Sequence, residues 1–215
     1  MLTTNVSTVL IGSAMIGTFV LVPQLAQLPQ GGDAGFGLSA TQAGLLLAPG
    51  SLVSLLVAPF VGRVGARHGS KPPFLAGCVL TACALLGLAL AHGSVAMIIA
   101  WCCAMSAGVG AAFAAIPNLI VSAVDAHETG EATGTNTVMR NIGSAVGAQV
   151  AGSLIAAHVL ATGLPENTGF TIAFLVGAGS AVVAALSVLL VPGRHYDSAR
   201  SLSSSTPVRN AAAAN

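Results

Sequence analysis

Residues 62–91 read GRVGARHGSK and then PPFLAGCVLTACALLGLALA. The first ten residues hold three cations, Arg63, Arg67 and Lys71, and the next twenty hold no charge. Wound as a helix at about 1.5 Å per residue, those twenty match the ~30 Å hydrocarbon core of a bilayer. Pro72 and Pro73 suit a first helical turn, where a missing N–H costs nothing. The stretch therefore reads as a membrane-spanning helix that starts from a short, basic, Gly-punctuated turn at headgroup level.

Outward from this stretch the pattern repeats. The 215 residues include only 7 Lys/Arg and 6 Asp/Glu, or 6% charged, against 54% hydrophobic. A soluble chain is about one-quarter charged, so lipid must solvate most of this one. The uncharged gaps predict six spans, at about 6–28, 41–61, 72–91, 95–121, 129–161 and 170–191. The apolar runs are continuous, whereas barrel strands alternate over about 10 residues, so the expected class is all-α and polytopic. Residues 1–193 form one six-span bundle, and the Ser- and Ala-rich tail 194–215 is expected to be disordered. The first five residues carry no Lys or Arg and the first apolar run is long, unlike a signal peptide.

Helix punctuation supports these limits. Ser39-Ala-Thr-Gln42 has the capping-box pattern. Asp125 and Glu128 are placed to cap and charge the fifth span, and Gly93, Gly163 and Gly193 lie just past helix ends. With six spans, Arg63, Arg67, Lys71, Arg140, Arg194, Arg200 and Arg209 all fall toward one face. Lys and Arg are retained on the cytoplasmic side, so both termini are expected there. Cys78, Cys83, Cys102 and Cys103 lie within spans without metal-ligand spacing and read as small packing residues. No metal, cofactor or nucleic-acid partner is expected.

The fifth span is the most patterned. At about 100° per residue, Thr133, Asn136, Arg140, Gly143, Gly147 and Ala151 share one stripe, with His158 further along. Gly143, Gly147 and Ala151, each four residues apart, permit close approach by another helix. Arg140 is expected within about a turn of the inner interface, either as an anchor facing packed helices or as a charge facing a water-filled cavity. Pro49, Pro59 and Pro117 free carbonyls and bend their spans, and Ala104, Gly108 and Ala112 form a second small-residue seam.

Three stretches carry a resemblance. The loop from Gly62 to Lys71 resembles the major facilitator signature, Gly-x-Leu-Ala-Asp-Arg-x-Gly-Arg-Lys, with Gly62, Arg67, Gly69 and Lys71 in matching places. The family's Asp falls on Ala66 and its second Arg on Ser70, so the gate lock made by that Asp has no counterpart here. Leu21 to Leu28 with Ser39 to Pro49, and above all Glu128 to Gly147, are similar to the fourteen-span drug:proton antiporter branch. The likeness covers nearly everything but the tail, and it aligns only with the second half of such a protein.

The resemblance implies one six-helix half of the major facilitator fold in a bacterial inner (plasma) membrane. It implies a drug or small-molecule efflux permease that moves amphipathic organic substrates. The chain would be a fragment, a truncated frame, or a half-transporter needing an N-terminal six- or eight-span half or a second chain. The two halves rock about a central site near the midplane. Gln24, Gln27, Asn118, Asn136 and Arg140 are the expected polar wall groups, Gly62, Arg67, Gly69 and Lys71 the gate loop, and Gly143, Gly147 and Ala151 the packing seam. No Asp or Glu lies mid-span, so proton coupling is expected to need the other half. Two other readings stand beside this one. A non-transporting assembly protein would bury Asn136, Arg140 and Gln27 against helices rather than around one cavity. An intramembrane serine protease would need Ser106 and a histidine such as His158 within hydrogen-bond reach.

Overall fold

The computed structural model describes residues 2–30, 35–121, 124–125, 127–161 and 163–189. The expected tail 194–215, with Arg194, Arg200 and Arg209, lies outside them, as do Asp33 and Gly193. Among the described residues seven helices follow in order: α1 Leu2–Gln27, α2 Ala40–Leu45, α3 Ala48–His68, α4 Lys71–Leu90, α5 Val95–Val121, α6 Thr129–Ala157 and α7 Asn167–Leu189. Among the described residues there is no named strand, only an isolated bridge between Val159 and Pro165.

α2 and α3 are one span with a break. Ser39 caps it as its sequence predicts: its hydroxyl accepts from the Gln42 amide at 3.3 Å, and the Gln42 side chain accepts from the Ser39 amide at 3.0 Å. The ladder is interrupted at Leu46 and Leu47 because Pro49, in the first turn of α3, has no N–H to continue it. Replacing the cap, Ser39→Ala, should lower the thermal stability of the membrane-embedded chain by about 1 kcal/mol, read as a shifted melting midpoint.

The basic turn is shorter than its sequence suggests. α3 runs through Gly62 and Arg67 to His68, and only Gly69 and Ser70 separate it from α4 at Lys71. Gly69 makes the reversal at φ 80°, in the left-handed region that favours glycine. Gly62 is therefore a helical residue, with open space where a Cβ would be. Glu128 stands at the start of α6 without a side-chain capping bond, because its backbone is already helical. Gly93 has no positive φ, whereas Gly163 does, in the turn beyond α6. α6 ends at Ala157, so His158 is its C-cap and leaves the helical stripe. The His158 ring contacts the Leu154 carbonyl at 2.9 Å.

The core is made by large side chains from several helices, including Phe74, Leu85, Ile98, Met105, Phe170 and Phe174. α4 and α5 meet at bare backbone. A Cβ added to Gly77 would stand 2.6 Å from the Gly108 carbonyl oxygen, and the Thr81 hydroxyl donates to the Gly77 carbonyl at 2.8 Å. Trp101 covers Gly87, and its Nε1–H donates to the Ala91 carbonyl at 3.1 Å. Where α4 ends and α7 begins, the His92 ring touches the Leu88 carbonyl at 2.6 Å and the Asn167 Oδ1 at 2.7 Å. At the opposite end the hydroxyls of Ser7 and Ser187 are 2.6 Å apart.

Among the described residues five helical segments are long and apolar enough to cross a membrane: Thr3–Gln27, Ala40–His68, Lys71–Leu90, Val95–Val121 and Asn167–Leu189. α6 is equally long but more polar. The difference is physical: its sequence places Thr133, Asn136 and Arg140 on one stripe, and α6 packs chiefly on α1, less on α7, and touches α5. α3 packs chiefly on α5. The outward faces of both helices are apolar, with Leu55 70% and Phe60 68% exposed on α3, and Val138, Ile142 and Val146 exposed on α6.

Candidate functional site

The site is built where α6 crosses α1 and α5. α1 and α6 run in the same direction, with backbone against backbone. A Cβ on Gly143 would strike the Val9 carbonyl, one on Gly147 the Ser13 carbonyl, and one on Gly12 would lie 2.9 Å from the Arg140 carbonyl oxygen. Ala151 is buried on the same line. This seam brings the polar stripe of α6 onto α1. Asn136, 6% exposed, donates from Nδ2 to Asn5 Oδ1 at 3.0 Å and to Thr8 Oγ1 at 2.9 Å. Thr8 in turn donates to the Thr4 carbonyl at 2.9 Å.

One turn further along α6, Arg140 points toward α5. Its guanidinium carbon lies 5.3 Å from the Phe113 ring centroid, a cation–π contact. Between them is a hollow of about 80 Å³, lined on the α5 side by Phe113, Ile116, Pro117 and Ile120 and on the α6 side by Thr133, Asn136, Thr137 and Arg140. Thr133 and Thr137 donate their hydroxyl protons to the carbonyls of Thr129 and Thr133, at 2.8 and 3.0 Å. Arg140 is eleven residues into α6, about 16 Å along the axis. Phe113 is eight residues from the end of α5, about 12 Å. The guanidinium thus lies more than two turns inside both helices; on insertion scales a cation costs about 2.5–3.5 kcal/mol at the membrane centre and less toward the interface. Among the described residues no ion pair involves Arg140; His127 and Glu128 do pair, 3.8 Å apart and exposed.

The other predicted wall groups are elsewhere. Gln24 and Gln27 are exposed at the far end of α1, where Gln27 Nε2 donates to the Pro23 carbonyl at 3.0 Å. Arg140 is level with Gly12, so Gln27 lies about 22 Å away along the bundle. Asn118 is exposed near the end of α5 and faces α3: its Nδ2 is 3.9 Å from where a Cβ on Gly65 would stand. Arg67, Gly69 and Lys71 cluster at that same end. The structure therefore gathers Asn136 and Arg140, puts Asn118 beside the basic turn, and separates Gln24 and Gln27 from all of them. Sequence reasoning missed Asn5 and Thr8. Their spacing, two polar groups one turn apart in an apolar run, was the available signal. It also missed Phe113, which nothing in sequence singles out. Ser106 of α5 is buried against Gly50 of α3, while the His158 ring is engaged at the far end of α6, so no Ser–His dyad forms between them.

A second crevice, of about 190 Å³, lies between α1, α6 and α7, lined by residues such as Val9, Ser13, Val150, Ala173 and Val176. Its serines are internally satisfied: Ser13 donates to the Leu10 carbonyl and Ser180 to the Val176 carbonyl.

Comparison with known proteins bears on the family and the fold. The sequence model of the Major Facilitator Superfamily matches residues 5–212. Multidrug resistance protein Stp of Mycobacterium tuberculosis is 31% identical over 150 residues, covering 69% of this chain and 27% of that protein. The multidrug efflux pump LfrA of Mycolicibacterium smegmatis is 29% identical over 180 residues, covering 80% and 34%. The partially occluded, inward-open xylose transporter XylE from E. coli superposes with a TM-score of 0.66 at 22% identity, over 89% of this chain and 49% of that one. The chain thus spans about a third or less of these two efflux relatives and about half of the solved transporter.

Proposed function

This chain belongs to the major facilitator superfamily, and on that premise we propose that it forms one six-helix half of a small-molecule efflux permease, working against a second set of spans. Members of the superfamily are transporters rather than enzymes, and this chain is an integral membrane protein. The observation that carries the half-permease reading is the unequal treatment of its polar groups. Arg140 and Asn136 line one hollow between α5 and α6, and α6 beside it turns an apolar face outward, with Val138 54% and Ile142 47% exposed. A bundle built only for assembly has no use for an unpaired cation in such a hollow.

In this reading Asn136 and Arg140 form the wall of a central site, and Gly143, Gly147 and Ala151 tie that wall to α1. Arg67, Gly69 and Lys71, with Gly62 and Asn118, form the gate end, which faces the cytoplasm of a bacterial cell together with both termini. Gln24 and Gln27 line the opposite mouth. The substrate is an amphipathic organic molecule, in keeping with the efflux pumps among the relatives. Among the described residues, helix carboxylates are confined to Glu131 in the first turn of α6, so proton coupling falls to the facing half.

Reconstituted alone in proteoliposomes, the chain should give no pH-gradient-driven movement of ethidium above empty vesicles. Supplied with the facing half of the Mycobacterium tuberculosis relative, it should. Drug movement by the chain alone would sink the half-permease reading.

A further inference from the structure

The Arg140 hollow holds a charge that, among the described residues, no opposite charge pairs. A guanidinium offers five N–H donors. Here one face of it rests on Phe113, and the polar side chains that line the hollow with it, Thr133, Asn136 and Thr137, are neutral: they offer acceptor oxygens but no countercharge. Among the described residues no carboxylate pairs with it. Glu131, on the same helix, is nine residues earlier, about 13 Å along the axis. Along the helix axes the guanidinium sits at the level of Phe113, about 12 Å from the end of α5 and about 16 Å from the start of α6.

We infer that Arg140, set on Phe113 in this hollow, is a subsite for one anionic group of the carboxylate or sulfonate class, delivered from outside the six-helix bundle. The 80 Å³ of space suits such a head and not a whole amphiphile, whose remainder would lie along Ile116 and Ile120. The anion belongs either to the cargo or to a side chain of the facing spans. The choice between these two sources rests on the half-permease reading, whereas the anion site itself does not.

The first arm of the test uses the purified chain in nanodiscs, titrated with 8-anilinonaphthalene-1-sulfonate and with the neutral 1-anilinonaphthalene, empty discs subtracted. The sulfonate should bind with at least tenfold lower affinity to Arg140→Gln and within threefold of the original to Arg140→Lys, while the neutral compound ignores both changes. Retained helical circular dichroism shows that the variants fold. Equal sulfonate binding by Arg140→Gln, or equal binding of the neutral compound to the unaltered chain, would overturn the proposal. The second arm uses the chain paired with the facing half and follows export of a carboxylate dye and its methyl ester. Loss of the carboxylate dye alone in Arg140→Gln assigns the anion to the cargo, and equal loss of both assigns it to the facing spans. Absence of export by the unaltered pair would count against the permease reading and leave the nanodisc result intact.

Discussion

Gly143→Leu should break the bundle. A Cβ there meets the Val9 carbonyl oxygen and carbon, which are backbone atoms of α1 and cannot swing aside. The helices would have to part along the whole seam, separating Gly147 from Ser13 and Gly12 from the Arg140 carbonyl as well. Overpacking of this kind costs about 3 kcal/mol, and lipid offers no hydrophobic penalty to hold the helices together once they separate. The measurement is the unfolding midpoint in mixed micelles, with Gly152→Leu as the control. Gly152 lies on the same helix with nothing within 4 Å of an added Cβ, so that variant should melt like the original chain. Equal melting of the two variants would mean that α1 and α6 are not in contact at this seam.

Asn136→Leu should cost about 1–2 kcal/mol in the same assay. It removes both donors that link α6 to Asn5 and Thr8, and buried side-chain bonds between membrane helices are worth about 0.6 kcal/mol each, rising to about 1.7. The loss is enlarged because the carbonyl of Asn5 is left facing a leucine in a low-dielectric setting. A double-mutant cycle with Thr8→Val separates the terms: the second substitution should add little once Asn136 is gone, because the shared bond is already lost. Strict additivity would show that Asn136 and Thr8 are not paired.

Much of this was legible in the chain itself. The spans follow from gaps between charges, because a helix in lipid must be apolar for about 20 residues, and Ser39 with Gln42 announced a cap that formed as spelled. The stripe from Thr133 to Ala151 was readable because a 3.6-residue period is a property of the helix alone. What lay beyond reach depended on partners. Nothing in the stripe says that Asn5 and Thr8 receive Asn136, or that Phe113 underlies Arg140, since each joins helices distant in sequence. The polar wall groups stand at different heights for the same reason. Polarity marked Gln24 and Gln27 correctly as unusual, but their height along the bundle is fixed by the register of α1 on α6, which periodicity does not contain. The end of α3 was misread because Gly62, Gly65 and Gly69 look alike in sequence, and only Gly69 has to adopt a positive φ.

The seam between α1 and α6 also sets a schedule for making the protein. Asn5 and Asn136 are 131 positions apart in the chain. At about 5–20 residues per second, the ribosome needs on the order of ten seconds to bring the second to the first. Throughout that interval α1 must rest in the bilayer with Asn5 unmatched by its eventual partner and with the flat strip around Gly12 uncovered. Until α6 emerges, α1 has only lipid and the spans made before α6 to rest against, so the α1–α6 seam forms by exchange of those early contacts for the permanent one.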